Sequence, residues 1–233
     1  FESLSDGEEF AAHVGLEAGG EVAAALAAPF VLSSPAALAA SSSDKDPTEW
    51  IVGLMNQLLD DIRKDPALKK ANPEKVRTFV TNRIMPEVDF ARMTRTAVGP
   101  QWRQATADQR AALQEGFQGL LTRVYSGAFS SVQDYHAEAV PARRPADASA
   151  TAIVRTKLVS KTAKPVPVDY RLANKGGAWK VIDVNVSGIW LVQNYHSQFG
   201  SILANGGIPA LVKALNDKNS ALNKDAAKQS GAK

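Results

Sequence analysis

Apolar residues recur at helical spacing through the first half of the chain, give way to near-alternation, and then return to helical spacing. Trp50, Ile51, Leu54, Met55, Leu58, Leu59 and Ile62 share one face at about 3.6 residues per turn, which predicts an amphipathic helix. Asp46, Pro47 and Glu49 supply the start signal for that helix, and Asp65 followed by Pro66 supplies the stop. The same grammar repeats at Asn72, Pro73 and Glu74, opening a second helix with Val76, Phe79, Val80 and Ile84 inward and closed at Pro86. A third, short helix begins around Val88, Phe90 and Met93 and ends at Gly99 and Pro100. Thr106 and Gln109 form a capping box for the longest helix, whose face carries Leu113, Phe117, Leu120, Leu121, Val124, Tyr125, Ala128 and Phe129. Gly116, Gly119 and Gly127 fall inside that pattern; because glycine weakens a helix interior, they mark places where another element or a ligand comes close.

After Val132 the spacing changes to that of strands. Tyr135 to Val140 is a weak strand. Ala150 to Val159 sets Ala152, Val154, Thr156 and Leu158 against Ile153, Arg155 and Lys157. A third strand carries Val166, Val168, Tyr170 and Leu172, and the hairpin turn Asn174 to Gly177 joins it to a fourth, Ala178 to Val186. Strict alternation places Trp179 and Val181 on one face of the fourth strand, and Ile182, Val184 and Val186 on the other. From Ile189 the stripe Ile189, Val192, Tyr195, Phe199 and Ile202 is helical again, with Ser187 and Gly188 as the corner and Ser187 as the cap. A final short helix, Pro209 to Leu215, precedes a polar tail. Helices, then antiparallel strands, then helices predict an α+β domain in which a twisted antiparallel sheet of about four strands packs against several helices.

The ends of the chain read differently from its middle. Residues 1–45 are leader-like: an apolar run from Val22 to Leu32 is followed by small residues suited to signal cleavage after Ala39 or Ala40. Acidic residues ahead of the run depart from that pattern, and Pro29 and Pro35 interrupt it too soon for a membrane span. Residues 46–216 form the single folded domain, and 217–233 a polar C-terminal tail.

The chain has 233 residues, 45% hydrophobic and 22% charged, with a formal net charge of +3, so nothing in its charge implies nucleic-acid binding. It contains no cysteine, which excludes disulfide and thiolate chemistry. His13, His136 and His196 lack metal-ligand spacing, and no nucleophile elbow or phosphate loop is present, so no metal, no catalytic residue and no cofactor are assigned. An enzymatic reading would require Asp183, Tyr170 and His196 to converge. The supply of apolar surface is large, and either a dense core or a lined cavity accounts for it.

Several segments taken together resemble the MlaC family, also called the toluene-tolerance auxiliary family. They are Ala71 to Pro73 (ANP), Ile84 to Pro86 (IMP), Asp89 with Phe90, Val98 to Trp102 (VGPQW), Ala105 to Arg110 (ATADQR), Tyr125, Trp179 to Asp183 (WKVID), Val186 to Ile189 (VSGI), Asn194 with Tyr195, and Gln198 with Phe199. The resemblance implies a monomeric periplasmic phospholipid carrier, not an enzyme, with phospholipid as cargo. Its implied partners are an outer-membrane lipoprotein complex and an inner-membrane ABC transporter with a membrane-anchored substrate-binding subunit. It further implies that shuttling lipid between these complexes maintains outer-membrane lipid asymmetry, and that the tails are held in an apolar pocket between sheet and helices. Mapped onto this chain, the pocket draws on Phe90, Met93, Trp102, Phe117, Leu121, Tyr125, Val154, Tyr170, Val184, Val186, Ile189, Val192, Tyr195 and Phe199. Trp190 and His196 depart from the family pattern, which generally has a small polar residue and an arginine there. A small α+β enzyme on a similar scaffold and an adaptor domain with a filled core are the competing readings.

Overall fold

The computed structural model describes residues 46–141 and 151–231; the leader-like segment lies outside them. Helix α1 (Pro47–Lys64) starts where Asp46 accepts hydrogen bonds from the Thr48 and Glu49 amides, and Pro47 takes a position that needs no donor. A single turn, α2 (Pro66–Lys69), follows, then α3 (Pro73–Phe79), capped by Asn72. The second predicted helix does not run straight to Pro86: beyond Phe79 it widens into a π-turn over Val80–Ile84 and tightens into a 3₁₀ turn over Met85–Glu87. Pro86 removes a donor there, so the regular ladder cannot continue. Helix α4 (Phe90–Val98) is capped by Asp89 and ends at Gly99, whose φ of 72° favours glycine.

Helix α5 (Ala107–Val124) carries the expected reciprocal cap between Thr106 and Gln109. It stops at Val124, five residues before the Phe129 that ends its apolar stripe. The Ser126 hydroxyl donates to the Arg123 carbonyl and diverts the backbone, so Ala128 and Phe129 belong to a separate turn, α6 (Ala128–Ser131). Phe129 thereby leaves the α5 face and meets Phe79 edge-on at 5.7 Å.

Five strands form one antiparallel meander: β1 (His136–Ala139), β2 (Thr151–Val159), β3 (Val166–Lys175), β4 (Ala178–Val186) and β5 (Ile189–Trp190), in that order. On β2, Ala152, Val154, Thr156 and Leu158 are buried, as alternation requires. Strand β1 lies at the edge, and Asn56 of α1 occupies that edge by donating to the Ala137 carbonyl at 3.0 Å and accepting from the Ala137 amide at 2.8 Å. The fifth strand exceeds the expected four: Ile189 and Trp190 fold back onto Val186 and Asn185 before any helix begins.

The last helix, α7 (Leu191–Gly231), is bent at Gly207, where φ is 64° and ψ is −163°, with Pro209 just beyond. The expected helix ending at Leu215 instead continues to Gly231. Its second arm lies along α5. A side chain added at Gly116 would sit 3.0 Å from Leu215 Cβ, which explains that glycine as a helix–helix approach. Asn219 and Asn223 accept hydrogen bonds from Arg123, and Asn219 donates to the Gly116 carbonyl.

Candidate functional site

Two apolar walls stand on either side of the junction between sheet and helices. The sheet wall contains Val154, Tyr170, Val168, Leu172, Trp179 and Val181, with Val184 and Val186 partly buried, and α1 packs over it through Ile51 and Leu59. Alternation assigns Trp179 and Val184 to opposite faces, yet they share this wall. The register of β4 against β3 shifts at Ile182: Arg171 pairs with Asp183, while Leu172 pairs with Val181. One extra residue resets the parity, so Val184 and Val186 return to the face already occupied by Trp179 and Val181.

The helix wall gathers Phe90, Met93, Phe117, Val192, Tyr195 and Phe199, with Trp102 and Leu121 packed against them. Phe117 lies at its centre, with ring centroids 5.5 Å from Phe90, 4.9 Å from Tyr195 and 5.2 Å from Phe199. Tyr125 hydrogen-bonds to Tyr195, and burial is the main reason its phenol pKa is raised, with Tyr195 adding to the effect. The Tyr170 phenol is raised by burial as well, so the Tyr125 and Tyr170 rings act as neutral, largely apolar surfaces. Ile189, half-buried, belongs to β5 opposite Val186 rather than to the helix.

The structure therefore splits the expected pocket residues between the two walls. Val88 packs against both walls and forms a parallel bridge to Val181, and the Asp89 amide donates to the Val181 carbonyl at 2.9 Å. That pair of contacts ties α4 to β4. A cleft of about 1180 Å³ opens elsewhere, between α3, α5 and the second arm of α7. It is lined by polar groups such as Gln118, Thr122, Arg123 and Asn219, and none of the expected pocket residues lines it.

The corner between β4 and α7 depends on Asp183. Ser187 and Gly188 take positive φ angles of 51° and 96°, the geometry of a tight hairpin turn, so Ser187 is not the helix cap. Asp183 performs that role: its Oδ1 accepts from the Val184 amide at 2.9 Å and from the Val192 amide at 3.0 Å. Its Oδ2 accepts from Arg171 at 3.1 Å, and the Arg171 guanidinium lies 4.4 Å from the centroid of the Trp190 ring. Trp190, the departure from the family pattern, thus covers the ion pair behind the corner. No local signal marks Asp183 as a cap, because it lies nine residues before the amide it serves.

Burial pushes the Asp183 pKa up, and the two amide donors and Arg171 pull it only partly back. The native chain then holds this proton to higher pH than the unfolded chain. The resulting stability is fully present below the ordinary carboxylate value of about 3.9 and is lost as pH rises through the raised value. Urea midpoints of the wild type are thus expected to fall relative to those of Asp183→Asn over that window; a difference that does not vary with pH would remove Asp183 as the source.

The residues of the enzymatic reading do not converge. Tyr170 and Arg171 are successive strand residues on opposite faces, so Tyr170 joins the sheet wall while Asp183 pairs with Arg171 on the other side. His196 Nδ1 lies 3.1 Å from the Ala97 carbonyl, docked against Gly99, where a side chain would come within 2.8 Å of its ring. Among the described residues no three His, Cys, Asp or Glu side chains gather as metal ligands, and no helix is long and apolar enough to cross a membrane.

Comparison with known proteins adds to this geometry. The chain is similar to a phospholipid-binding protein from Ralstonia solanacearum, solved in complex with a phospholipid. The TM-score is 0.72 and the identity 35%, covering 77% of this chain and 99% of that one. It is 28% identical over 162 residues to toluene tolerance protein ttg2D from Pseudomonas putida, covering 69% of this chain and 74% of that protein. It is 22% identical over 185 residues to the intermembrane phospholipid transport system binding protein MlaC from Haemophilus influenzae, covering 78% of this chain and 86% of that one. The family described as MlaC protein matches residues 53–217, which include both apolar walls, the Asp183 corner and the start of the second arm of α7. The chain belongs to the MlaC family.

Proposed function

We propose that this protein is a carrier of phospholipid, holding the acyl tails between the sheet wall and the helix wall and leaving the headgroup at the rim. The observation that carries the reading is its likeness, over 77% of the chain, to a protein solved in complex with a phospholipid. The two apolar walls give that likeness a physical basis in this sequence. Each methylene removed from water contributes about 0.8 kcal/mol, so a two-tailed lipid leaves a bilayer at tolerable cost only when nearly all of both tails is enclosed. The walls are closed separately and meet through Val88, so tails entering between them would not dismantle either wall. Tail burial is undirected, and selectivity follows tail number more than headgroup identity.

Phospholipid is the cargo and no catalytic step is involved. The name of the H. influenzae relative supports a place in an intermembrane phospholipid transport system, and in this reading the protein is a periplasmic shuttle. It would act between an outer-membrane lipoprotein complex and an inner-membrane ABC transporter with its membrane-anchored binding subunit, as a monomer in transit. Phe90, Met93, Trp102, Phe117, Leu121, Tyr125, Val192, Tyr195 and Phe199 on one side, and Val154, Tyr170, Val184, Val186 and Ile189 on the other, are the residues proposed to face the tails. Solvent extraction of protein purified from a Gram-negative host, followed by mass spectrometry, is expected to release two-tailed phospholipid in near-stoichiometric amount. Protein that carries no lipid and takes none from vesicles would overturn the reading.

A further inference from the structure

On the first arm of α7, one polar side chain stands where an apolar one is expected. Gln198 is 6% exposed, and among the described residues no group pairs with either its Nε2 or its Oε1. An amide offers two donors and an acceptor, and burying it unpaired is unfavourable enough that native chains rarely do so. Gln198 also lies within the apolar stripe. Leu191, Tyr195 and Ile202 are seven and three residues before it and four after it, which sets all of them on its side of the helix, and each belongs to the helix wall or packs against it.

Helical side chains lean toward the N-terminus of their helix, so the Gln198 amide is carried back toward the turn that holds Tyr195. The first arm of α7 is tied to β4 where the Val192 amide donates to Asp183. Gln198 is therefore held beside the helix wall, on the arm that Asp183 anchors to the sheet. Acyl tails offer an amide nothing to bond. At the boundary between tail and headgroup, a phospholipid presents acyl ester carbonyls, which accept hydrogen bonds and have no donors of their own.

The geometry points to Gln198 as a receptor for an acyl carbonyl, its Nε2 donating to the carbonyl oxygen of an ester of a lipid whose tails lie between the walls. This rests on the carrier reading and adds to it a chemical preference: ester-linked over ether-linked lipid, independent of headgroup. Tyr195, one helical turn before Gln198, is paired with Tyr125 of the neighbouring helix.

The test compares uptake from vesicles of a diester phosphatidylethanolamine with uptake from vesicles of its diether analogue, matched in tails. Wild-type protein is expected to favour the diester by roughly tenfold, as one charge-neutral hydrogen bond in an apolar site allows. Gln198→Leu is expected to abolish that preference while raising the melting temperature of the lipid-free protein, since an unpaired amide is removed. Equal uptake of both lipids by the wild type, as when Gln198 holds only a buried water, overturns the inference and leaves the carrier reading standing. A preference that survives in Gln198→Leu overturns it too. Uptake of neither lipid removes the carrier reading, and the inference with it.

Discussion

Phe117→Ala is expected to lower the unfolding free energy by about 4 kcal/mol, the largest loss foreseen for any single substitution in this chain. Phe117 is fully buried and touches the rings of Phe90, Tyr195 and Phe199, so it links α4, α5 and the first arm of α7. Removing it deletes a large transfer contribution and opens a cavity whose lining belongs to three helices at once. Two of these helices are also tied to the sheet, α4 to β4 through Asp89 and Val88 and α7 to the same strand through Asp183, so collapse onto the void is limited. Urea denaturation followed by far-ultraviolet circular dichroism measures the change. A loss under about 1 kcal/mol would mean that Phe117 already faces a space that relaxes freely, contrary to its place at the centre of the helix wall.

Asp183→Ala comes next, with an expected loss of about 3 kcal/mol. The carboxylate is the acceptor for two backbone N–H groups, those of Val184 and Val192, and its side chain is only 3% exposed, so alanine leaves both donors without this partner. The ion pair itself contributes less, because the Arg171 side chain is 41% exposed and water can replace its partner. The two contributions separate by experiment: Arg171→Ala is expected to cost well under about 1 kcal/mol, and Asp183→Asn, which keeps an acceptor oxygen, an intermediate amount. If Arg171→Ala were as damaging as Asp183→Ala, the corner would be held by charge and not by capping.

These expectations show where the sequence was legible. Asp46, Asn72 and Thr106 could be read as helix starts because a cap acts on amides two or three residues away, and each of them caps in the structure, whereas the Asp89 cap of α4 was not read from the sequence. The strands of the meander were legible through alternation, and β2 follows it along its length. The helix stop at Val124 was missed because the apolar stripe continues through Phe129, although the chain turns at Ser126 and carries that phenylalanine to Phe79. The polar segment after Asn216 read as a tail. Its Asn219 and Asn223 instead pair with Arg123, a residue about a hundred positions earlier.

The candidate site divides in the same way. The aromatic residues of the helix wall could be picked out one helix at a time, but their meeting around Phe117 required three helices to be placed. The sheet wall was misjudged by one residue, because the bulge at Ile182 is a property of pairing with β3 and leaves no mark on β4 alone. Gln198 carried a faint signal, a polar residue on an apolar stripe, yet its lack of a partner exists only in three dimensions.

By itself the sequence determined the secondary structure that local capping and periodicity dictate, the α+β order, and membership in the MlaC family. It could do so because those features depend on residues within a few positions of one another or on a family pattern spread along the chain. Only the tertiary structure decided which faces make the two walls, that Asp183 and not Ser187 holds the corner, and that the last helix turns at Gly207 to lie against α5. Each of these is settled by contacts between distant segments, where packing and hydrogen-bond satisfaction override local preference.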